Sequence, residues 1–151
     1  MIVDGQVKVG VLACPNLPTS FKDPSSERGL LLYGVEGGKA YQTTLSHHDL
    51  AQAEICHMKP VNLLSEATFC ESVESGHSSH GQQSRISEIL GIKTQSVRMD
   101  SQAKYATLTR GDADIYLRLP VNMKYEEKIW VLHLIFMSIL TIGSCFWAIA
   151  C

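Results

Sequence analysis

The sequence predicts a mixed fold, α/β or α+β, and three observations carry that expectation. Strand-like runs flank two turn signals, Asp4-Gly5 and Gly37-Gly38. Apolar residues recur at helical spacing at Ile86, Ile89, Leu90 and Ile92. Short apolar strands at Ala67–Cys70, Val97–Met99 and Ile115–Leu119 alternate with helical segments. The chain has 151 residues, 45% of them hydrophobic and 19% charged, which fits one domain with a real core and excludes a disordered polyelectrolyte. The net charge of −2 argues against a basic surface for nucleic acid.

The elements follow in order. Asp4-Gly5 is a hairpin signal, since such turns need positive φ. After it Val7, Val9 and Val11 alternate with Lys8 and Gly10, as in a strand with one buried face. Only Met1, Ile2 and Val3 precede the turn, so the partner strand reads as a stub cut from something longer. Pro15 and Pro18 should end the first strand, because proline cannot donate to a ladder. Leu30–Tyr33 and Ala40–Thr44 make a second hairpin around Gly37-Gly38. Gly38-Lys39 is no phosphate-binding P-loop: Tyr33 stands where the motif needs glycine, and Ala40 replaces its Ser/Thr. Beyond Ala67–Cys70, Ser78 or Ser79 can cap a helix ending near Gly91, and Ala103–Leu108 reads as a second helix. Pro120 stops the last strand.

The chain carries its cationic excess in one block. Residues 85–128 hold eight Lys/Arg and six Asp/Glu, against five and nine in residues 1–84. That suits a small anionic ligand. The five cysteines form no CxxC, and reduced thiols in an intracellular compartment are the simplest reading. Met1–Gly5 is neither a signal nor a transit peptide, so the expected location is cytoplasmic or organellar. Cys70, His77 and His80 are a zinc constellation only if a fourth ligand joins them, and none has suitable spacing. His77 among serines before a helix is better read as a phosphate site, against the plainer alternative of a cap with solvated histidines. Ser101 stands at a strand-to-helix junction with Lys104 one turn on. The pair can hold an anion, or be an N-cap serine and a surface lysine. Arg118, inside an apolar strand, needs a partner: Asp112, Asp114 or a bound phosphate.

Five segments, taken together and in order, resemble the 3'(2'),5'-bisphosphate nucleotidases. They are Val9–Pro18, Ser75–His80, Met99–Tyr105, Asp114–Arg118 and Tyr125–Trp130, and the match covers residues 1–130. The resemblance implies an α/β fold, a layered αβαβα sandwich related to inositol monophosphatase. It implies a magnesium-dependent phosphatase removing the 3'-phosphate from adenosine 3',5'-bisphosphate, with His77, Ser101, Lys104 and Arg118 lining the nucleotide pocket. The metal-binding Asp-Pro-x-Asp-Gly-Thr segment of that family does not occur in these 151 residues, and Val131 stands where the family has a metal-binding aspartate. No catalytic residue and no metal ligand is therefore assigned.

Residues 1–130 are accordingly expected to be the C-terminal half of a nucleotidase domain, inert by itself because the metal that activates water has no carboxylates to hold it. Residues 131–151 carry no charge. As a helix they would span roughly 31 Å, enough for a membrane anchor. The abrupt break after Trp130 favours a foreign tail of splicing origin instead. Two other functions fit the same residues: a non-catalytic nucleotide-binding or membrane-tethered module, and an inositol polyphosphate 1-phosphatase. Ser101-Gln102-Ala103-Lys104 favours the nucleotide.

Overall fold

A computed structural model describes residues 1–47, 49–58, 60–73 and 80–117. They fall into two units, one running from Met1 to His57 and the other beginning at Met58. The first is antiparallel. The Asp4-Gly5 turn, with φ of 50° and 74°, joins β1 (Ile2–Val3) to β2 (Gln6–Val7), pairing Ile2 with Val7. The short hairpin thus forms within the chain. A four-stranded sheet follows in the order β3-β4-β5-β6, built from β3 (Val9–Pro18), β4 (Arg28–Val35), β5 (Ala40–Thr44) and β6 (Glu54–Ile55). Gly37, at φ 73°, turns β4 into β5 as the hairpin reading requires.

One expectation for β3 is met, since the strand ends at Pro18, and one is corrected. The strand runs on through Pro15 to Pro18, with its register shifting between Cys14 and Pro18. It can do so because it is the sheet's edge, where a missing N–H breaks no ladder on the open side. Its buried face is the opposite of the one the valines suggested. Val11 is 57% exposed, while Leu12, Cys14 and Leu17 are buried. The neighbour decides this: Leu12 pairs with Leu32 and Cys14 with Leu30, and both leucines of β4 are buried too. On the other face, Tyr33 and Tyr41 sit opposite each other with rings stacked at 5.3 Å.

The second unit is parallel. Its central strand β7 (Phe69–Glu71) lies between β8 (Val97–Arg98) and β9 (Ile115–Tyr116). Helix α1 (His80–Leu90) crosses from β7 to β8, and α2 (Ala103–Thr109) from β8 to β9. A parallel neighbour on each side explains why Ala67, Phe69 and Cys70 are all buried rather than alternating. The mixed α/β class expected from the sequence is what the chain forms. Gly91, at φ 67°, ends α1: its N–H donates to the Glu88 carbonyl and that of Ile92 to Ser87. The apolar face predicted for α1 is corrected, however. Ile89 is 75% exposed, and the residue buried in the helix is Gln83. Gln83, with Ile86 and Ser87 half-buried three and four positions on, defines the inward stripe, and Ile89 lies outside it.

Candidate functional site

In parallel βαβ units the helices begin where the strands end, so strand exits and helix starts gather at one edge of the sheet. Here that edge holds Ser72 and Val73 after β7, Met99–Gln102 after β8, and Leu117 after β9. Two hydrogen bonds lace the first two exits together. The Met99 N–H donates to the Glu71 carbonyl at 2.9 Å, and the Val73 N–H to Asp100 Oδ1 at 3.2 Å.

Ser101 sits in the laced loop. It is exposed and adopts φ 52°, a left-handed backbone that costs a non-glycine residue about 1–3 kcal/mol. It is not the helix cap. That position belongs to Gln102, whose side chain makes no capping bond. Strain of this kind persists where the surroundings enforce it, and here Asp100 is anchored one residue earlier.

Lys104 is no surface lysine. It is 4% exposed, on the second residue of α2. Its Nζ donates to Ser72 Oγ at 2.8 Å and lies 5.5 Å from the centre of the Tyr116 ring. Tyr116 is itself held edge-on by Tyr105, 5.7 Å away. A buried ammonium is costly unless polar partners surround it, and a hydroxyl and a ring face are two such partners.

Of the four residues expected to line a pocket, the structure thus brings Ser101 and Lys104 to one sheet edge. His77 and Arg118 lie outside the described residues, as does the whole segment 131–151. Arg118 directly follows Leu117, the exit of β9. The two aspartates considered as its partners have structural work of their own. Asp112 pairs with Arg110 at 2.9 Å, and Asp114 Oδ2 accepts the Thr68 N–H at 2.8 Å. Sequence reasoning missed Ser72, Tyr116 and Asp100. The signal available for Ser72 was its place directly after the short parallel strand Phe69–Glu71.

Cys70 is a poor metal ligand or nucleophile. Burial, the largest cause, pushes its thiol up to about 12, against the opposing pull of Lys104. Among the described residues no group of three or more His, Cys, Asp and Glu side chains converges. The carboxylates nearest the edge are engaged: Glu71 lies 3.5 Å from Arg98, and Asp100 accepts from Val73. Among the described residues, then, this edge gathers no cluster of metal ligands, and it carries the buried ammonium of Lys104. No described helix is long and apolar enough to cross a membrane.

Comparison with known proteins gives the site a context. The model of the inositol monophosphatase family, which is generally metal-dependent, matches residues 1–130. The chain is 44% identical over 131 residues to a 3'(2'),5'-bisphosphate nucleotidase of Schizosaccharomyces pombe, covering 86% of this chain and 37% of that protein. It is 40% identical over 141 residues to one of Emericella nidulans, covering 86% and 40%. With 3'(2'),5'-bisphosphate nucleotidase 1 of Arabidopsis thaliana it shares 41% over 138 residues, covering 86% and 38%. The chain thus spans about two-fifths of the length of these relatives.

Proposed function

The chain belongs to the inositol monophosphatase family, and from that premise we propose that it serves the magnesium-dependent removal of the 3'-phosphate from adenosine 3',5'-bisphosphate. Its own share in that reaction is to grip the nucleotide. The observation that carries this reading is the buried ammonium of Lys104 at the carboxyl edge of the parallel sheet, with strained Ser101 exposed on the same edge. A lysine there acts as a fixed point charge toward phosphate oxygens. Ser101 adds a hydroxyl and a backbone N–H. His77 and Arg118 complete the proposed cradle. The names of the relatives support a nucleotide carrying two phosphates over an inositol polyphosphate. Action inside the cell, in cytoplasm or an organelle, is part of the proposal, and the buried free thiol of Cys70 supports it.

Because Glu71, Asp100, Asp112 and Asp114 serve neighbouring side chains and backbone, the 151-residue polypeptide is expected to bind nucleotide without turning it over. Calorimetry checks the first half: adenosine 3',5'-bisphosphate should bind, inositol polyphosphate should bind less tightly, and Lys104→Met should weaken the nucleotide at least about tenfold, the worth of one charge-assisted hydrogen bond. Phosphate release with magnesium checks the second half. Equal affinity of wild type and Lys104→Met contradicts the grip, and turnover matching a complete relative contradicts the division of labour.

A further inference from the structure

We propose that Ser72 is a positioning residue for Lys104, a post at the exit of β7 that fixes where the lysine's charge is presented. This rests on the nucleotide reading only for its purpose; the geometry stands by itself. Ser72 is completely buried, so its hydroxyl is not a solvent contact. Its backbone is pinned on both sides, by the Met99 N–H on the Glu71 carbonyl and by the Val73 N–H on Asp100. A serine held that firmly presents its Oγ at one point in space. Lys104 Nζ reaches that point at 2.8 Å.

Lysine needs such a device more than arginine does. Its ammonium is a compact charge on a flexible four-carbon stem, without the pre-organised planar fork of a guanidinium. Burial of the stem and the Tyr116 ring restrict the swing, but a ring face accepts a cation over a broad area. The hydrogen bond to Ser72 Oγ, by contrast, is directional. A hydroxyl also holds an ammonium without neutralising it, whereas a carboxylate at the same place would cancel the charge an anion must meet. The adjacent acid, Glu71, lies 3.5 Å from Arg98. The same exit is tied through Asp100 to the loop of Ser101, so one backbone segment sets the spacing of both anion-facing residues.

The test is the rate at which an amine-acylating reagent modifies Lys104, followed by peptide mass spectrometry on the folded chain. Ser72→Ala should accelerate modification about tenfold, the loss of one hydrogen bond to a charged group, and Ser72→Thr should restore the wild-type rate. Adenosine 3',5'-bisphosphate should bind Ser72→Ala about tenfold more weakly, and the Ser72→Ala change should be silent in a Lys104→Met background. If Ser72→Ala does not fold, Ser72→Cys replaces it, since a thiol is a weak acceptor. Equal labelling in folded alanine (or cysteine) variant and wild type overturns the proposal, as does a threonine variant labelled as fast as alanine. Altered labelling in a chain that binds no nucleotide sustains the positioning role and overturns the nucleotide reading alone.

Discussion

Among the described residues, those buried in the antiparallel unit are apolar, from Leu12 and Leu32 to Cys56, whereas Glu71, Ser72, Gln83, Lys104, Thr107 and Thr109 are all buried around the parallel sheet. The contrast follows from topology. Hairpins satisfy their backbone locally and send charges to a solvated face, as Lys8 and Glu36 do in pairing across an exposed surface. Parallel strands are covered by helices on their way back, and their exits converge where polar groups can be held away from water. One unit buries apolar side chains, and the other buries polar and charged ones with them.

Core truncation gives the largest expected effect and puts the two units on one scale. Phe69→Ala should cost about 3–5 kcal/mol and Leu32→Ala about 2–5, read from urea unfolding. If Leu32→Ala costs less than about 1 kcal/mol, the purely cohesive role of the antiparallel sheet fails. Alkaline pH should act mainly on the parallel unit. The Cys70 thiol holds its proton to about 12, while unfolding returns it to the ordinary value near 9.0. The unfolded chain therefore binds fewer protons between those values. The contribution is complete below pH 9 and is lost as pH rises through that window, at up to about 1.4 kcal/mol per pH unit. Cys70→Val should flatten this part of the pH profile, and an unchanged slope would show that the thiol is not the group responsible. The smallest effect sharpens the contrast from the other side. Both amide atoms of Gln83 are buried with no hydrogen-bond partner among the described residues. Gln83→Leu should then raise stability by about 1–2 kcal/mol; a loss would mean that the amide is satisfied in solution.

How much of this was legible in the sequence differs between the units. The turns were, because Asp4-Gly5, Gly37 and Gly91 need positive φ and advertise it locally. The burial of β3 was not. Period-two alternation allowed either face, and the choice fell to Leu30 and Leu32 on the paired strand. For α1 the isoleucines were the visible signal, yet the helix turned Gln83 inward. Ser101 and Lys104 were singled out at a strand-to-helix junction, with a cap serine and a surface lysine as the plainer alternative, and the family resemblance tipped the choice. The plainer alternative, a cap serine with a surface lysine, is what the structure corrects: Gln102 holds the cap position, and Lys104 is buried against Ser72, just past β7 and 32 residues away, and Tyr116 of β9. Spacing along the sequence cannot report a contact of that kind.

The central claim, that the parallel sheet's carboxyl edge is where an adenosine bisphosphate is held, meets its most direct test in amide hydrogen exchange with and without that nucleotide. Slowed exchange at Ser72–Val73 and Ser101–Lys104, with Met1–His57 unchanged, is the predicted result. Protection confined to Met1–His57, or none in either unit at saturating nucleotide, would contradict it.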